Sequence, residues 1–205
     1  MAPGEPLTDR LCLLCGLCCS GVLFKDVELQ PGDNAEKLAR LGVPLKRSGR
    51  HREVSRPPNE LSTTHAAGPV SGAQGRRTSH RAGSAKLAQP CGALQTDGRC
   101  RIYADRPTRC REFDCALLKS VEAGQGELKA AQHTIGTARA RADRVRRLLR
   151  ELGDRDEPLA LSLRFKRLHR RLASVRLDDE TAETFSELTL AVHDLNLLLR
   201  AAFYA

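Results

Sequence analysis

The sequence predicts a mainly α protein in which an irregular cysteine-rich module is followed by a C-terminal antiparallel helical bundle. Two observations carry that prediction. Eight cysteines fall in two runs, Cys12, Cys15, Cys18 and Cys19, then Cys91, Cys100, Cys110 and Cys115, with turn residues between them. Beyond Gly126, apolar residues recur at helical steps in three successive stripes. The expected organisation is the first part of the cysteine module at residues 1–43, a basic disordered insertion at 44–90, the second part of the module at 91–126 and the bundle at 127–205.

The chain has 205 residues, enough for one ordinary core with an appended element. Only 3% are aromatic and tryptophan is absent, so Leu, Val, Ala and a few Phe must fill the interior. A core that thin would benefit from a metal staple.

The density of cysteines around Gly16 predicts a loop over Leu11 to Ser20. Gly21-Val22-Leu23-Phe24 reads as a short strand, Pro31-Gly32-Asp33-Asn34 as a turn, and Ala35 to Leu41 as a short helix stopped by Gly42. From Pro44 to Gln89 no helical or strand period survives, and Ser, Thr, Gly, Pro, Arg and His dominate, which predicts a mobile linker. Between Cys91 and Cys115 the turn signal Thr96-Asp97-Gly98 predicts irregular backbone held by metal.

Leu128, Ile135, Ala138, Ala142, Val145, Leu149 and Leu152 then form one stripe beneath a basic outer face, and Gly153 ends that helix. The next helix follows Pro158 with Leu161, Phe165, Leu168, Leu172 and Val175. The last begins at Asp178 or Asp179, with Glu180 and Glu183 near its positive end, and carries Phe185, Leu188, Val192, Leu195, Leu199 and Phe203.

The N-terminus lacks a basic stretch followed by an apolar run, and no segment is long enough to cross a bilayer; Arg200 interrupts the apolar C-terminal stretch. The expectation is a soluble, cytoplasmic protein without a membrane partner. In that compartment thiols stay reduced, so closely spaced cysteines read as metal ligands rather than disulfide partners. Without a cation, clustered thiols oxidise readily and repel as thiolates.

The spacing bears on which metal. A zinc ribbon needs two facing C-x2-C knuckles, and the second run contains none. Cys12, Cys15 and Cys18 instead take the C-x2-C-x2-C step of ferredoxin-type iron–sulfur loops, which a distant cysteine closes; Cys91, Cys100, Cys110 or Cys115 could do so. Cys19 cannot easily share a small centre with its neighbour Cys18 and is a candidate for a second one. An iron–sulfur cluster is the favoured cofactor and zinc the alternative. Either carries a net charge of about −2 with four thiolates, which suits Arg99, Arg101, Arg106, Arg109 and Arg111 beside the ligands. Each of those arginines also reads as part of a solvated basic face. Tyr103 and Phe113 are expected to pack over the site and exclude water from the sulfurs.

These residues resemble the cysteine-cluster family of zinc- or iron-chelating domains of the CxxCxxCC type. The matching pieces are Cys12-x2-Cys15-x2-Cys18-Cys19, Cys91-Gly-Ala-Leu, Cys100-Arg-Ile-Tyr103, Arg106-Pro107, Cys110-Arg111, Phe113 and Cys115. The resemblance covers roughly Leu11 to Gly126 and implies metal binding by the eight cysteines, with no activity attached. A related cysteine module occurs in flagellin lysine methylases. The insertion between Cys19 and Cys91 departs from the family pattern by its length and basic character.

The reading is a metal-binding protein, in which the centre holds the fold or passes electrons. A redox or methylase-related enzyme component is a second reading, against which stand the missing βαβ context for a thiol oxidoreductase and the missing glycine-rich cofactor loop. A third is nucleic-acid binding by the insertion. Nine Lys or Arg against two acidic residues put +7 of the chain's +9 charge between Pro44 and Pro90, including Arg47, Arg50, Arg52, Arg56, Arg76, Arg77 and Arg81. That stretch has no aromatic residue on which a base could stack, which favours a solvated segment. His51, His65 and His80 lie in the insertion and His133, His169 and His193 on the helices; with eight cysteines available, none is needed as a ligand.

Overall fold

The three stripes become the three longest elements of the computed structural model, which describes residues 7–47 and 85–204. Helix α5 spans Leu128–Glu151, α6 Leu161–Leu172 and α7 Asp179–Ala202. Before them lie α1 (Leu7–Cys15), β1 (Asp26–Glu28), α2 (Ala35–Arg40), β2 (Leu45–Arg47), β3 (Ala85–Ala88), α3 (Thr108–Glu112) and α4 (Ala116–Glu122). The molecule is mainly α, as its sequence predicts, with one small sheet.

The stripe of α5 is buried from Ala131 to Leu149, and α7 buries Leu188, Ala191, Leu195 and Leu199 against it. The two helices run antiparallel: Arg141 Nη1 donates to the Asp194 carbonyl at 2.8 Å, while Arg144 Nη2 reaches the Glu187 carboxylate at 2.9 Å. Asp178 caps α7 by accepting the Thr181 N–H at 2.8 Å. Helix α6 is held by a pair that its composition conceals. Arg164 lies on the stripe between Leu161 and Leu168, 2% exposed, and binds Asp154 at 2.6 Å and Glu157 at 3.0 Å. Val175 falls beyond the last turn of α6 and is exposed, so it does not extend the stripe as predicted. His169 packs between the rings of Phe165 and Phe185.

The sheet has strand order β1-β3-β2, antiparallel throughout, with Val27 opposite Leu87 and Leu45 also opposite Leu87. Leu87 is 1% exposed and centres a small core with Leu38, Val43, Ala93 and Ile102. This corrects two expectations. Gly21–Phe24 is not a strand: the N–H groups of Val22 and Leu23 both donate to the Leu17 carbonyl, and both side chains are buried in the same core, whereas a strand would send them to opposite faces. The ends of the predicted linker are strands, β2 and β3, which pair with each other across the intervening chain. Strands of three and four residues are too short to show a period in sequence. Residues 48–84, with the predicted mobility, Arg50, Arg52, Arg56, Arg76, Arg77, Arg81 and the three insertion histidines, lie outside the described residues, as does the side chain of Arg47.

Two further stretches are more regular than expected. The predicted loop over Leu11 to Ser20 starts as helix α1, because Leu11 buries itself in the bundle core and Cys12 and Cys15 fall one turn apart. Between Cys91 and Cys115 the chain forms an antiparallel bridge from Leu94 to Cys100, a 3-10 turn at Tyr103–Asp105 and helix α3.

The module docks on the bundle through shared apolar packing. Leu11, Leu17, Val22, Leu23, Leu118 and Val121 belong to the same core as α5, α6 and α7. Backbone and side-chain bonds fix the seam: Leu161 N–H to the Gly21 carbonyl at 2.9 Å, Tyr204 Oη to the Leu23 carbonyl at 2.9 Å, and Ala116 N–H to the Phe203 carbonyl at 3.2 Å.

Candidate metal centre

Each cysteine is placed by a short element whose end is fixed locally. Cys12 and Cys15 share one face of α1, and Gly16 ends the helix at φ +62°, donating its N–H to the Cys12 carbonyl at 3.3 Å. Leu17, 2% exposed, anchors the turn that follows, and Ser20 N–H closes it on the Gly16 carbonyl at 2.9 Å. Cys18 and Cys19 are carried on that turn. The chain beyond residue 90 returns to the same place: Cys91 N–H donates to the Cys19 carbonyl at 2.8 Å, and Ala93 N–H to Cys91 Sγ at 3.4 Å. Cys100 sits in the bridge to Leu94, Cys110 within α3, and Cys115 at the N-cap of α4.

Five of the eight divide between the two cores. Cys15, Cys18 and Cys115 pack against the core of the bundle, while Cys91 and Cys100 pack against the small core under the sheet. The electrostatic neighbours fall largely along the same lines, with Cys19 acting on Cys18 across them. Burial pushes the Cys15 thiol up to about 12, with Cys115 and Cys12 adding to the rise. Cys18 is pushed up by burial and then by Cys15, Cys19, Cys115 and Cys12. Burial first, and then Cys91 and Cys100, push Cys19 up to about 12 and Cys110 up to about 11, against the lowering charge of Arg106. Cys91 is raised by burial and by Cys100. Cys12 is exposed, the other seven are half-buried, and none of the eight is in a disulfide.

Seven of the eight, all but Cys91, line one cavity of about 680 Å³. Phe24 and Phe113 meet edge to face at its wall, their centroids 4.8 Å apart. Tyr103 also lines it, with the Arg106 guanidinium 3.5 Å over its ring. Of the five arginines singled out by sequence, Arg106 and Arg109 line the cavity. Arg101 instead donates to the Leu41 carbonyl, Arg99 lies beside Asp97, and Arg111 faces Asp33. Among the described residues, no three Cys, His, Asp or Glu side chains stand at the spacing of a closed metal shell.

Sequence reasoning missed the residues that hold the cysteine segments. Asp33 accepts the Thr108 N–H and hydroxyl, both at 2.8 Å, and so fixes the start of α3 from a distant turn. Burial would raise its carboxyl, but the bonds from Gln30 and Thr108 and the charge of Arg111 outweigh that and hold it below the usual value. From α5, Arg139 donates to the Leu14 carbonyl at 2.9 Å and Arg146 to the Ser20 carbonyl at 3.3 Å, one within the C-x2-C-x2-C-C run and one immediately after it. Nothing in the basic outer face of α5 distinguishes them from their neighbours. Gln89, 3% exposed, also lines the cavity, and its side-chain oxygen has no hydrogen-bond partner among the described residues.

Eight free thiols from the two halves of the cysteine module are a soft donor set suited to zinc or iron, and together with the docked bundle they define a metal-chelating cysteine-cluster protein. The chain belongs to the CxxCxxCC family, described as "Putative zinc- or iron-chelating domain", which matches residues 11–135. That span contains every cysteine and ends inside α5. Comparison with curated proteins gave no match, and comparison with solved structures gave none. Among the described residues, no helix is long and apolar enough to cross a membrane.

Proposed function

We propose that this is a cytoplasmic metal-binding protein whose cysteine thiolates hold an iron–sulfur centre, with zinc as the alternative occupant. The observation that carries the reading is that seven of the eight thiols, from segments up to about a hundred residues apart, line one cavity, with no disulfide among the eight. Convergence of that kind is costly without a cation, because buried thiols resist ionisation and neighbouring thiolates repel. A bound metal reverses both effects, and its binding energy becomes folding energy for the module.

The C-x2-C-x2-C step supports iron–sulfur over a zinc ribbon. Phe24, Phe113 and Tyr103 would shield the sulfurs from water, and Arg106 and Arg109 would offset the anionic charge. The role is structural or electron-transferring. Metal and acid-labile sulfide analysis of protein purified without oxygen tests this. Iron with matching sulfide and a broad visible band is expected; zinc without sulfide makes the centre structural, and a metal-free, folded protein overturns the reading.

A further inference from the structure

Resting on the metal-binding reading, we infer that the chain holds two separate four-thiolate centres, one formed by Cys12, Cys15, Cys18 and Cys115 and the other by Cys19, Cys91, Cys100 and Cys110. The division follows the packing. Cys15, Cys18 and Cys115 rest on the bundle core, and Cys91 and Cys100 rest on the separate core beneath the sheet. The backbone bond from Cys91 to the Cys19 carbonyl ties Cys19 to the second set, although Cys19 follows Cys18 directly. Successive side chains on a turn diverge, so adjacent cysteines can serve opposite sides of one wall.

Chain geometry places the remaining members. Helix α1 sets Cys12 one turn from Cys15. Helix α3, which carries Cys110, packs on β1 and is fixed at Thr108 by Asp33, in the turn between β1 and α2, whose Val27 and Leu38 belong to the small core. Coordination chemistry sets the same number, since zinc and a four-iron cluster each close their protein shell with four thiolates. Eight thiols therefore exceed one centre and complete two.

The two centres differ in access. The first includes Cys12, the one exposed thiol of the eight. The second is backed by Arg106, and its Cys91 and Cys100 are packed against the small core. A chelator is therefore expected to strip the first centre before the second.

The test is a cobalt(II) titration of the reduced, full-length protein, followed by thiol alkylation and intact-chain mass spectrometry. Two equivalents are expected for the wild type, and one each for Cys12→Ser and Cys100→Ser, with the protected cysteines in each variant being the four of the untouched set. Should a variant lose its helical circular dichroism, the wild type at less than one equivalent decides the point. Molecules protected at four positions must then carry one complete set. Groups of four drawn from both sets, or a single equivalent shared across them, overturn the division while leaving metal binding intact. No cobalt bound by the wild type overturns the metal-binding reading itself.

Discussion

Gly16 shows how much the site asks of single residues. It stands between Cys15 and Cys18 at φ +62°, and a Cβ there would lie 3.3 Å from the Gly98 carbonyl, on the turn leading to Cys100. A side chain is strained in that conformation and also crowds the second cysteine segment. Gly16→Ala is expected to destabilise the protein by about 1–2 kcal/mol and to weaken metal retention, read by denaturant unfolding and chelator competition. The thiols give a second expectation at this scale, with opposite signs for the two states. In the metal-free fold Cys15, Cys18, Cys19, Cys91 and Cys110 keep their protons above the ordinary thiol range, chiefly through burial. Above about pH 9 the unfolded chain releases those protons while the fold holds them, so stability falls as pH rises from there towards 12. The loaded protein already holds thiolates, so below pH 9 its unfolded chain binds more protons and its stability rises with pH. Denaturant midpoints of chelated and loaded protein at pH 7, 9 and 10.5 check both slopes.

At the scale of elements, α5 serves both the bundle and the cysteine turn. Its inner stripe packs on α7, and from its flank Arg139 and Arg146 hold the carbonyls of Leu14 and Ser20. Removing both guanidinium groups should leave the helices intact, because the stripe is untouched. It should also loosen the turn that carries Cys18 and Cys19. An Arg139→Ala/Arg146→Ala variant is therefore expected to keep its helical circular dichroism and to bind metal about 10-fold less tightly, on the order of 1.4 kcal/mol. Metal affinity equal to that of the wild type would assign both contacts to the surface alone. The three bundle helices were legible in sequence because their apolar residues recur over many turns. Strands β1, β2 and β3 and helices α3 and α4 were not, since elements of three to seven residues are set by distant partners such as Leu87 and Asp33.

Across the whole molecule, the pairing of β2 with β3 brings both ends of the basic insertion together, Arg47 standing opposite Ala85. Replacing residues 48–84 by a short turn should therefore leave both cores intact, along with the metal content and melting temperature, because loop-closure cost changes slowly with loop length. The shortened protein serves as a control for any nucleic-acid affinity of the full chain: salt-dependent binding that vanishes with the segment would locate that activity there. Loss of metal on shortening would instead assign the segment a part in the site.

The amino-acid sequence was sufficient for the zinc- or iron-chelating family, the mainly α class and the positions of α5, α6 and α7, since cysteine spacing and helical periodicity are local and repeat along the chain. Tertiary structure alone decided that Cys115 packs on the same core as Cys15 and Cys18 while Cys91 and Cys100 pack on the other, how the Arg164 pair with Asp154 anchors α6, and that the linker's ends form a sheet. Those outcomes depend on contacts between segments far apart in the chain, where packing and desolvation choose the partner and no periodic pattern records the choice.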